Sequence, residues 1–61
     1  NMENNKQYIT KQIKGIINLN LFFESIKDLN IKDEDFDYYL EEKHDNPLDN
    51  IYFIQYFETI N

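Results

Sequence analysis

The chain has 61 residues, no cysteine, one histidine, and six basic residues, all lysine, against twelve acids, for a net charge of −6. Such a length holds one domain, 1–61, near the lower limit for a core that stands alone, and the missing cysteines exclude a disulfide or a Cys-based zinc site as reinforcement. Arginine is the usual residue for reading bases and clamping phosphates, so an acidic chain without it is a poor nucleic-acid binder and is better suited to meet a basic protein surface.

The charge is uneven. Residues 1–20 carry Lys6, Lys11 and Lys14 against Glu3, whereas residues 21–61 carry three lysines against eleven acids. No apolar run approaches the ~20 residues needed to span a bilayer, and no N-terminal greasy stretch resembles a secretion signal. No membrane contact and a cytoplasmic location are expected. Asn1 before Met2 reads as a tag remnant, with Met2 a native start.

Read in order, the chain suggests four short helices. From Asn5 to Asn18, Ile9, Ile13, Ile16 and Ile17 recur at helical spacing, with Lys11 and Lys14 on the far side. Gly15 loosens the last turn of that helix, and Asn18-Leu19-Asn20 reads as a break. Asn20 then caps a second helix, Leu21–Leu29, striped by Phe22, Ile26 and Leu29, and Asn30 is a left-handed stop. Asp33 caps a third helix reaching Lys43, with acids in its first turn, where the helix dipole favours them. Its inner face is Phe36, Tyr39 and Leu40; Glu34, Asp37, Glu41 and Glu42 project outward with Tyr38 among them.

The C-terminal stretch has the strongest start signal, with Asn46 as cap, Pro47 at the first helical position and Asp49 in the place of a capping-box acid. As a helix, Pro47–Ile60 is apolar nearly all round, so it is either central or buries its second face against a partner. A homodimer with Phe53 and Phe57 at the contact is one solution; packing of the first helix is the other. The competing reading is a strand, because Ile51 to Phe57 is rich in β-formers. The cap, and the lack of an obvious strand to pair with it, favour the helix.

Chemistry-bearing motifs are few. Asp33-x-Asp35-x-Asp37 has the spacing of a calcium loop, but Tyr38 stands where the loop needs glycine and His44 where it needs a bidentate glutamate. His44 is the lone histidine, and Glu41 and Glu42 stand at adjacent, exposed positions, where general acid/base work needs burial or a convergent pocket. No catalytic residue, metal or cofactor is expected, and the chain reads as non-enzymatic. The notable feature is charge: Asp33 through Asp45 holds seven acids and one lysine. One reading is a solvated face. The other is a docking surface of Glu34, Asp37, Glu41 and Glu42 around Tyr38, since a large aromatic among charges is what interface anchors look like.

Two family resemblances attach to these residues. Ile26-Lys27-Asp28-Leu29-Asn30-Ile31-Lys32-Asp33-Glu34-Asp35-Phe36-Asp37-Tyr38-Tyr39-Leu40 resembles the helix-turn-helix segment of bacterial and phage regulators, with Asn30 where that family has its turn glycine. The resemblance implies a recognition helix from Asp33 to Lys43. Its outer face is covered here by carboxylates that phosphate would repel, so it supports a fold and argues against the activity. The stretch from Phe22 to Phe57 also resembles a UBA domain, the three-helix module that binds ubiquitin. Leu29-Asn30-Ile31 occupies the position of its binding loop, Tyr39-Leu40 the Ala-Leu of its second helix, and Asp45-Asn46-Pro47 its Asn-rich turn. That resemblance implies ubiquitin contact through Leu29, Asn30 and Ile31.

The sequence therefore predicts an all-α bundle, an extra N-terminal helix on a three-helix core. The expected protein is a small bacterial or phage-type regulator or inhibitor that docks a basic partner, extending to nucleic-acid mimicry where that partner itself binds DNA or RNA. A ubiquitin-binding module is the first alternative and a DNA-binding regulator the second.

Overall fold

β-branched and aromatic side chains fit a pleated, half-buried surface, and in the computed structural model, which describes residues 5–60, they build a sheet. The elements are strand β1 (Asn5–Lys14), helix α1 (Ile16–Ile26), strand β2 (Phe36–Glu42) and strand β3 (Ile51–Ile60), with short 3-10 turns at Lys27–Leu29, Asp33–Asp35 and Pro47–Asp49. β3 lies in the middle of the sheet and pairs antiparallel with both β1 and β2. Its register with β1 runs unbroken over ten pairs, from Asn5 opposite Ile60 to Lys14 opposite Ile51. The β2 register passes from Leu40 opposite Tyr52 to Glu42 opposite Ile51, so Glu41 is inserted as a bulge.

This corrects the all-α expectation element by element. The first predicted helix is β1 up to Lys14, and the Asn18-Leu19-Asn20 break lies inside α1. The second is the latter part of α1 with a 3-10 turn after it; the third is a 3-10 turn followed by β2. The C-terminal one is a single 3-10 turn followed by β3. The three-helix frame on which the helix-turn-helix and UBA resemblances rest is therefore not formed: Asp33–Lys43 is no recognition helix, and Tyr39-Leu40, matched to the second UBA helix, lies on β2. Asn1 and Met2, which carried the expectation of a tag remnant, lie outside the described residues.

Local signals were real but short. Asn46 does cap, its side chain accepting the Leu48 N–H at 3.0 Å with Pro47 at the first helical position, yet the capped unit ends at Asp49. Asn30 takes the left-handed conformation expected of it, φ 54°.

Gly15 is the joint between β1 and α1. It sits at φ 90°, ψ 144°, its N–H donates to the Asn50 carbonyl at 2.7 Å, and its own carbonyl accepts from the Leu19 N–H. A β-carbon there would lie 2.7 Å from the Leu48 carbonyl oxygen. Only glycine fits both the dihedral and the space.

The core lies between α1 and one face of the sheet. Along β3, Tyr52, Ile54 and Tyr56 are buried, and Ile54 is fully inaccessible. Leu19 is the buried residue of α1; Phe22, Phe23, Ile9, Ile13 and Phe36 pack around this cluster. The rings interlock, Phe22 on Tyr56 at 5.9 Å, Phe23 on Phe36 at 5.8 Å and Phe36 on Tyr56 at 6.0 Å. Such pairs add about 0.5–1.5 kcal/mol each beyond the area they bury.

Candidate functional site

A sheet whose centre is β3 has β1 and β2 as its two edges, and an edge strand leaves alternate N–H and C=O groups unpaired on its outer side. The two edges differ in charge. β1 carries Lys6, Lys11 and Lys14; β2 carries Asp37, Glu41 and Glu42. The turns on either side of β2 add Asp33, Glu34, Asp35, Asp45 and Asp49, and the one basic residue between Asp33 and Asp49 is Lys43. Every β2 residue after Phe36 is exposed.

The expected binding residues thus fall along one acidic margin, but not on one face. Directly opposed residues share a face of a sheet, and neighbours along a strand alternate. Asp37, opposite Gln55, points to the open face away from α1. Tyr38, opposite Ile54, points to the helix side, where its ring meets Phe23 at 5.1 Å and Phe36 at 6.1 Å and remains half-exposed. Glu34 stands in the 3-10 turn before the strand. Glu41, in the bulge, accepts from the Gln12 amide at 2.8 Å across the open face. Glu42 meets His44 Nε2 at 2.6 Å, both side chains largely in solvent. A helix would have clustered Tyr38 with Asp37 and Glu41; a strand sets it across the edge from them.

At the β2 entrance, Glu34, Asp35, Asp37, Tyr8, Gln55 and Phe57 border an open hollow of about 270 Å³. Asp35 is held there by Lys6 at 2.9 Å, and Gln55 accepts from the Tyr8 hydroxyl while its amide reaches Asp37 at 3.4 Å. Leu29, Asn30 and Ile31 line a second hollow of about 150 Å³ with Lys6, Asp35 and Phe57. Ile31 packs on the core while Leu29 is exposed, so they do not form one protruding loop tip.

Phe53 and Phe57, expected at a dimer contact, alternate with the buried residues of β3 and so lie on the open face. Phe57 pairs with Tyr8 at 5.1 Å, and Phe53 with Tyr39 at 5.6 Å.

Sequence reasoning missed Asn50. Its side chain is buried and accepts the His44 N–H at 2.6 Å, while its backbone carbonyl takes the Gly15 N–H. It therefore ties the turn after β2 to the joint after β1. An asparagine before a β-rich run was the available signal. Burial pushes the Tyr56 phenol above its usual pKa, and the Glu58 carboxylate adds to the effect. Among the described residues, no three His, Cys, Asp or Glu side chains are grouped to hold a metal ion, and no helix is long and apolar enough to cross a membrane.

The chain matches no protein-family model, and comparison with curated proteins and with solved structures found no match.

Proposed function

We propose that this is a non-enzymatic interaction protein whose acidic margin, centred on β2, docks a basic surface of a partner protein. The observation that carries this reading is the coincidence of a free sheet edge with the densest run of acids in the chain. A basic extended segment laid along β2 gains backbone hydrogen bonds from the edge. Its lysines or arginines on one side meet Asp37 and Glu41, and its other side packs over Tyr38. The remaining acids steer the encounter over about a Debye length, which raises the association rate more than it slows dissociation. Occupying a basic site in this way inhibits or regulates its owner, and where that site normally holds DNA or RNA, the row of carboxylates stands in for phosphates.

The test pairs capture with charge reversal. Proteins recovered from the source cell by the wild type, and lost with the Asp37→Lys/Glu41→Lys double variant, are purified and their binding kinetics measured. The reading expects slower association for the double variant, a deficit that shrinks as salt rises, and a loss on Tyr38→Ala that persists at every salt concentration. A partner bound equally by all three proteins reduces the acidic margin to a solvated face. Loss confined to Leu29 and Ile31 variants moves the site to that hollow.

A further inference from the structure

The open face of the sheet is ordered into three columns. β1 presents Lys6, paired with Asp35, and Lys14, paired with Asp49, at its ends, with Tyr8, Thr10 and Gln12 between them; β3 presents Ile51, Phe53, Gln55, Phe57 and Thr59; β2 presents Asp37, Tyr39 and the bulged Glu41. One edge carries a lysine at each end, the centre is mainly apolar around Gln55, and the other edge is acidic. We infer that this face binds a second copy of the chain, sheet to sheet, about a two-fold axis parallel to the strands.

The orientation follows from the columns. A two-fold axis along the strands lays β1 of each copy over β2 of the other and stacks β3 on β3. Lys14 of each copy then faces the acidic end of β2 in the other, once at each margin, and Ile51, Phe53 and Phe57 meet their own counterparts. A two-fold axis across the strands stacks lysine column on lysine column and acid on acid, which like-charge repulsion disfavours. The favoured axis also preserves level along the strands. Lys14, Ile51 and Glu42 share one level within a copy, so Lys14 of each copy comes over the Glu41–Glu42 bulge of the other. Aligned sheets pack about 10 Å apart, enough for one interdigitated layer of these rings.

The size of the contact sets its strength. Two strands of ten residues and one of seven, about 4.8 Å apart, give a footprint of roughly 400–500 Å² per copy, against about 800 Å² per partner in a standard stable interface. The dimer is therefore reversible and forms in the micromolar range or above. Stacking leaves the outer edge of β2 free but covers Asp37 and Glu41. The dimer and the docking proposed above therefore compete for Asp37 and Glu41, while sedimentation reads the dimer alone.

Sedimentation equilibrium over about 1–500 µM tests it, reading departure from the 7.5 kDa monomer mass. The wild type should approach a dimer at the upper end. Phe53→Glu, which brings two carboxylates together at the axis, should weaken association at least tenfold. Should that variant lose its circular dichroism signal, the charge pair decides: Lys14→Glu and Glu41→Lys should each weaken the dimer, and the double variant should regain it. Since the chain has no cysteine, Gln55→Cys gives a single thiol near the axis that a short bis-maleimide should join into dimers. Thr10→Cys, one strand off the axis, should cross-link less. A clean monomer at 500 µM overturns the inference. So does a dimer indifferent to both charge changes, which would assign association to an edge instead.

Discussion

Replacing Gly15 with alanine should remove most of the protein's stability. At φ 90° and ψ 144° an L-residue is strained, at a cost of about 1–3 kcal/mol. The added methyl also lies 2.7 Å from the Leu48 carbonyl oxygen, a backbone atom that cannot swing aside, and overpacking of this kind costs about 1–3 kcal/mol more. Restricting the unfolded chain returns about 0.4–1 kcal/mol. The net loss is about 3 kcal/mol, against the ~3–5 kcal/mol that a core of this size supplies. Urea titration followed by far-UV circular dichroism measures it directly. Sixty-one residues are also within reach of chemical synthesis, so D-alanine can be placed at the same position. It suits the positive φ and should lose less stability than the L-enantiomer. A loss under about 0.5 kcal/mol for Gly15→Ala, or equal losses for the two enantiomers, would refute the account of the joint.

Three further expectations concern the core. Ile54→Ala should cost about 2–5 kcal/mol in the same titration, because Ile54 is fully buried between α1 and the sheet. Asn50→Ala should cost about 0.5–1.5 kcal/mol by removing the acceptor of the part-buried His44 N–H, and hydrogen exchange at that amide should accelerate. Because the Tyr56 phenol is raised above its ordinary value of 10.0, the folded state keeps a proton that the unfolded chain gives up first. Its contribution is full below pH ~10 and is lost as pH rises from there through the folded-state value. Tyr56→Phe should flatten that part of the alkaline stability curve, and an unchanged slope would contradict the assignment.

The helical misreading has a definite origin. Ile9 and Ile13, Phe36 and Leu40, Tyr52 and Tyr56, and Phe53 and Phe57 are all four residues apart. A step of four returns to the same side of a helix and also to the same face of a strand, so these pairs satisfy both periods. The discriminating clue was the C-terminal stretch, whose apolar groups would wrap right around a helix. On a strand they sort cleanly, Tyr52, Ile54 and Tyr56 to one face and Ile51, Phe53 and Phe57 to the other, as a central strand packed by α1 on one side requires. β1 could not be read locally as its partner, because it lies more than thirty residues away in sequence; β2 lies close by, but its own spacing also fits a helix. The acidic run was legible as composition, and Asn30 and Asn46 as conformational markers. The arrangement of the run was not, since the side on which Tyr38 falls depends on the period chosen.

The central place of β3 also governs the order in which structure can appear. β1 and β2 pair with it and not with each other, so the sheet shares one indispensable strand and that strand is Ile51–Ile60. While a ribosome is still adding residues before Ile51, the nascent chain holds two half-greasy strands and a helix with nothing to close on. All the long-range pairing must then form together, the kind of non-local closure that is slow and leaves apolar segments open in the meantime. The lysines of β1 and the carboxylates of β2 keep those waiting strands in water. Charge on the edges thus protects the chain in the interval before β3 arrives, whatever it later binds.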